Sequence, residues 1–139
     1  MRWFLLLLCI SLASTGFSQD SWTVSYNGKT VLRTSGEDPE KNIITIHPAD
    51  LKKKKELLVV YKQQELQKGW ERFIVVFDEK DTELKKVRAG KMKLDGPALQ
   101  ALFQKSKTIK IFTWSLPTDP KLKASIRVRR VHLCTLILQ

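Results

Sequence analysis

The segment from Ala124 to Leu138, Ala124-Ser-Ile-Arg-Val-Arg-Arg-Val-His-Leu-Cys-Thr-Leu-Ile-Leu138, constrains the fold more than any other stretch. Ile126 and Val128 alternate with Arg127 and Arg129, which is the period-two pattern of a strand with one face in the core. Arg129 and Arg130 then break the alternation. Val131 and Leu133 alternate with His132 and Cys134, so a β-bulge at the arginine pair keeps Ile126, Val128, Val131 and Leu133 on one side. Beyond Cys134 both faces are apolar, with Leu136 and Leu138 continuing the Cys134 face. A strand apolar on both faces belongs in the middle of a covered sheet.

The rest of the chain repeats this theme in shorter pieces. Trp22–Tyr26 and Lys29–Thr34 flank Asn27-Gly28, whose tolerance of positive φ suits a type I′ hairpin turn. Asn42–His47 reads as a β-branched strand ended by a turn at Pro48. Leu57–Tyr61 and Trp70–Phe77 are further apolar runs. Leu84–Leu94 reads as one or two short strands broken near Ala89-Gly90. Thr108–Leu116 is a strand closed by a stiff Pro117-Thr-Asp-Pro120 turn. One helix is expected around residues 96–105, capped by Asp95, with Pro97 in its first turn and Ala98, Leu99, Leu102 and Phe103 on one stripe. The fold class is therefore mainly β: a small β-sandwich of about eight strands, Greek-key or jelly-roll like, with one short helix. The segments around Pro48 and Pro97 are the places where such a chain crosses between sheets. The apolar outer faces need a cover, and the helix is one candidate; an uncovered remainder would serve a partner or a homodimer.

Residues 1–18 carry one charge, Arg2, then the apolar run Trp3–Leu12 and the small residues Ala13-Ser-Thr-Gly-Phe-Ser18. This is the pattern of a signal peptide, too short to span a bilayer, which needs roughly 20 apolar residues. The expected mature chain is a single domain, residues 19–139, exported to the periplasm or the extracellular space and holding no transmembrane segment. Without the leader the formal net charge falls from +11 to +10. Cys134 is then the sole cysteine, so no internal disulfide forms, and its place among leucines favours a packed thiol over a reactive one.

Motifs for chemistry are sparse. There is no phosphate-binding glycine loop, G-x-S-x-G, C-x-x-C or H-E-x-x-H, and no cofactor, metal or catalytic set is assigned. His132 and Cys134, two apart on one strand, point to the same side, and with Asp119 they sketch a cysteine-nucleophile site. The sketch loses to a core thiol beside a hydrogen-bonded histidine. His47, Asp50 and His132 match no zinc spacing, and the acidic Asp78–Glu83 loop lacks the glycine of a calcium loop. The basic balance is the remaining lead. Arg127, Arg129 and Arg130 with Lys52, Lys53, Lys54 and Lys55 are the candidate anion-binding residues. Arg72, followed by five apolar residues, is expected at a sheet edge or against a buried acid, and Trp70 and Trp114 are expected in the core unless exposed to stack on sugars.

The expectation is an exported, non-enzymatic binding or interaction module recognising an anionic partner through a basic surface, whether an anionic polysaccharide, lipopolysaccharide or a protein. The alternatives are a small hydrolase or isomerase using His132 with Arg130 or Asp119, and a self-assembling structural protein.

Overall fold

The computed structural model describes residues 19–65 and 68–139. The expected signal peptide lies outside these residues. Among them are nine strands in two sheets and three short helices. The chain runs β1 (Ser21–Tyr26), β2 (Lys29–Thr34), β3 (Ile43–Ile46), α1 (Pro48–Lys52), β4 (Leu57–Lys62), β5 (Trp70–Phe77), β6 (Glu83–Val87), β7 (Lys91–Leu94), α2 (Gly96–Lys105), β8 (Thr108–Pro117), α3 (Pro120–Ser125) and β9 (Val131–Leu138). One sheet has the order β2-β1-β4-β7 and the other β3-β9-β8-β5-β6.

The sandwich anticipated from the alternation is present, and its local signals fold as their chemistry requires. Asn27 (φ 54°) and Gly28 (φ 78°) make the hairpin turn between β1 and β2. Asp95 accepts a hydrogen bond from the Ala98 amide at 2.9 Å, capping α2. Both foreseen crossings occur: β3 passes through α1 to β4 in the other sheet, and β7 passes through α2 to β8. The turns expected at Pro48 and Pro120 are single helical turns with proline at their first positions, where the missing amide costs nothing.

Inward residues of both sheets form one core that includes Trp22, Val24, Ile46, Leu57, Val59, Ile74, Val76, Met92, Ile109, Ile111 and Leu136. Leu99, Leu102 and Phe103 of α2 join that same core. The helix therefore plugs one end of the sandwich instead of covering an outer face, because its connection leads from one sheet to the other across that end. Gln100 Nε2 donates to the Leu51 carbonyl at 2.8 Å, tying α2 to α1 there.

The outer face of the larger sheet carries a second cluster, Phe73, Val75 and Phe77, with Phe112, Trp114 and Leu116 packed against it. Cations lie on this face. Arg130 stands 4.4 Å from the Phe77 ring centre and 5.6 Å from that of Trp114, and Lys86 stands 4.6 Å from Phe73. Such cation–ring contacts favour a long basic side chain lying over aromatic surface.

The C-terminal segment corrects the expectation drawn from it. The strand starts at Val131, not Ile126; Val128 is 43% exposed, and Arg127–Arg130 form an extended surface strap. Strand-like alternation over 126–130 had no partner strand to pair with. The bulge also moves: Ile111 pairs with Cys134 and Phe112 with His132, so Leu133 is the unpaired extra residue. Leu133, Cys134 and Leu136 all join the inner core as a result, while His132 turns to the outer face against Phe112, at 5.4 Å between ring centres. The interior placement holds, since β9 lies between β3, which it pairs in parallel, and β8. Among the described residues no helix is long and apolar enough to cross a membrane.

Candidate functional site

The sandwich end opposite α1 and α2 is open. Inward side chains there come from both sheets: Trp22 on β1 and Tyr61 on β4 face Arg72 on β5, Ser115 on β8 and Val131 on β9. The cleft between them has a volume of about 510 Å³ and is flanked by Asp20, Glu37 and Arg129.

Its walls are held by specific contacts. Trp22 stacks on Tyr61 with 6.0 Å between ring centres, and its Nε1 donates to the Leu133 carbonyl at 2.9 Å. The Tyr61 hydroxyl donates to Asp20 at 2.7 Å, and the Gln64 amide donates to the other oxygen of that carboxylate at 3.0 Å. Burial, reinforced by the Asp20 hydrogen bond, pushes the Tyr61 phenol up to about 12. Glu37 is likewise occupied: one oxygen accepts from the His132 backbone amide at 2.8 Å and the other pairs with Arg129 at 2.9 Å.

Arg72 differs. Its guanidinium lies 4.3 Å from the centre of the Tyr61 ring and donates to Thr113 Oγ1 at 3.2 Å. A longer contact of 3.4 Å reaches Gln63. Among the described residues it makes no ion pair. Of its two expected settings, the buried acid partner is not found among the described residues, while Arg72 pairs with Ser115 of β8 on one side and lies outside the β5–β6 ladder, which begins at Ile74, on the other. An aromatic face and neutral oxygens satisfy part of its donor fork and leave the cation unmatched at the cleft floor.

The residues singled out for anion binding are divided. Arg127, Arg129 and Arg130 belong to the strap at the open end, whereas Lys52 ends α1 and Lys53, Lys54 and Lys55 follow it at the plugged end, a full length of β9 away. Arg129 is paired with Glu37, Arg130 lies over Phe77, and Lys55 pairs with Asp50 at 2.9 Å. The Lys55 hydrogen bond holds the Asp50 carboxyl below its ordinary value.

His132 and Cys134 sit on opposite faces of β9, separated by the bulge, so no shared site exists between them. Cys134 is fully buried, and desolvation pushes its thiol up to about 12, which keeps it protonated and unreactive at neutral pH. The His132 Nε2 is 2.8 Å from Thr135 Oγ1, while its Nδ1 meets no partner among the described residues. Asp119 caps α3 through the Lys121 amide. No group of three histidine, cysteine or acidic side chains able to hold a metal occurs among the described residues.

The buried imidazole carries a pH prediction. Desolvation pulls His132 below the ordinary histidine value, against the opposing pull of Glu37 and with the help of Lys110. The unfolded chain then binds the proton more readily than the folded one, so stability is complete above about pH 6.5 and declines as pH falls below it. Urea midpoints measured from pH 7.5 to 5 are expected to drop, and His132→Gln to flatten that drop. The Asp50 contribution is lost only at more acidic pH, below the ordinary carboxylate range, and leaves this window undisturbed.

Comparison with protein-family models, curated proteins and solved structures returns no significant match.

Proposed function

We propose that the chain is an exported, non-enzymatic binding module that recognises an anionic group in the cleft at the open end of the sandwich. The observation that carries this reading is Arg72: a half-buried guanidinium, stacked on Tyr61, without a carboxylate partner among the described residues, facing a cavity of about 510 Å³. An arginine in that setting is matched by a planar carboxylate, sulfate or phosphate able to accept from its fork. The formal net charge, +11 for the full sequence and +10 without Arg2 of the leader, favours encounter with anionic partners at low ionic strength. Export rests on the sequence of residues 1–18. The strap arginines contribute to encounter more than to the bound state, because Arg129 and Arg130 already have partners.

The test is titration of the protein with heparin and with lipopolysaccharide across a salt series. Affinity is expected to fall as salt rises. Arg72→Gln is expected to lower it about tenfold, or roughly 1.4 kcal/mol, and to do so by more than the double variant Arg127→Ala with Arg129→Ala. An Arg72→Gln variant that binds like the parent rejects the cleft as the site, and absence of salt-sensitive binding to either ligand rejects the reading as a whole.

A further inference from the structure

A second cleft, of about 450 Å³, adjoins the first and shares Tyr61, Arg72 and Ser115 with it. The stacked Arg72–Tyr61 pair stands at their junction, and the second cleft continues past it to Trp70, Lys62 and Gly90. We infer that the two clefts form one groove across the open end of the sandwich, and that its ligand is an acidic polysaccharide, seated with a sugar carboxylate or sulfate on Arg72 and neighbouring residues extending to Trp70. This rests on the proposed function and names the ligand class for the same site.

Two features of the groove select that class. The first is charge. Each carboxylate lining the groove is already engaged: Asp20 by Tyr61 and Gln64, Glu37 by Arg129, and Glu71 by Arg88 at 3.3 Å. Lys62 and Arg72 form no ion pair among the described residues, and Asp20, whose hydrogen-bond donors are neutral, offsets only one of them, which leaves the groove with a small excess of positive charge.

The second is surface chemistry. Trp70 is 36% exposed at the rim, against the expectation of a core position, because it opens β5 before the strand enters the core. An exposed indole offers a flat apolar platform with a polar edge, to which the C–H face of a pyranose ring is complementary. Ser35, Ser115 and Gln63 supply hydroxyl and amide groups of the kind that meet sugar hydroxyls.

The experiment is calorimetric titration of the full chain with galacturonic acid, with its hexamer, with the methyl-esterified hexamer, with a heparin hexasaccharide and with an acidic hexapeptide. At least one acidic hexasaccharide is expected to bind ten or more times tighter than the monomer, and esterification is expected to remove most of the galacturonate affinity. Trp70→Ala, on the exposed rim, is expected to weaken the bound hexasaccharide about tenfold while leaving the weak monomer affinity unchanged. Arg72→Gln is expected to weaken both, with Arg72→Lys partly restoring them and circular dichroism confirming the fold. Equal affinity for hexamer and monomer, or a Trp70→Ala variant that binds as the parent does, overturns the groove while the anion site at Arg72 stands. An acidic hexapeptide that binds as tightly as the sugars overturns the ligand class, and failure of every anion to bind overturns both readings.

Discussion

Replacing Trp22 by alanine is expected to lower the free energy of unfolding by about 3–5 kcal/mol, the usual cost of removing a buried tryptophan. Trp22 is 3% exposed, stacks on Tyr61 and donates its indole proton to the carbonyl of Leu133. Leu133 is the residue left out of the β8–β9 ladder, and a buried carbonyl without a donor costs about 1–3 kcal/mol. The indole therefore fills the core and satisfies the bulge at once. A fold of this size has a total stability of about 5–15 kcal/mol, so the variant should lose a large fraction of it, with the melting temperature down by roughly 12–20 °C at about 4 °C per kcal/mol. Urea denaturation measures the loss. Trp22→Phe separates the two contributions, because it keeps most of the ring and removes the donor. A loss below about 1 kcal/mol in Trp22→Ala contradicts the role assigned to this residue.

Gly96→Ala is the second large expectation. A Cβ at Gly96 would lie 2.5 Å from the Cα of Lys54 and 3.0 Å from its carbonyl carbon, closer than atoms approach without displacing backbone. Lys54 is itself held at φ 54° in the turn between α1 and β4, and Gly96 opens α2 beside its Asp95 cap. Neither side yields freely. The clash should cost about 1–3 kcal/mol, outweighing the propensity gain of roughly 1 kcal/mol that alanine brings to a helix. Gly36→Ala, where the added carbon meets nothing within 4 Å, is the control and should stay within about 0.5 kcal/mol of the parent. A Gly96→Ala protein as stable as that control would mean that α1 and α2 do not pack as described.

These two residues show where the sequence is legible and where it is not. Local chemistry reads directly: Asn27-Gly28 specifies its turn, Asp95 with Pro97 specifies the start of α2, and alternation specifies the strands. Information shared between distant strands does not. The bulge at Leu133 depends on how Phe112 and Ile111 align with β9, so sequence alone placed it at the arginine pair. Residues 126–130 imitate a strand because Ile126 and Val128 alternate with arginines, yet only pairing makes alternation a strand. α1 and α3 span five and six residues, too short to show a helical period.

The candidate site was legible at one point. Arg72 stands out inside an apolar run, and that oddity marks the cleft. Asp20, Glu37 and Tyr61 meet it only through the sandwich, and no spacing in the chain announces them. The basic residues chosen for their number proved to be divided between the two ends, since β3 and β9 run parallel and carry α1 and the strap to opposite poles.

The interior position of β9 also bears on how such a chain is made. It follows every other strand in order, yet it sits between β3 and β8. Until residues 131–138 pair, β3 has no neighbour in its sheet and β8 presents an open edge over Thr108–Thr113. Unpaired apolar edges of this kind invite association with other chains. Pairing of β9 closes both of these edges at once, so the larger sheet is completed only by the strand that comes last among those described.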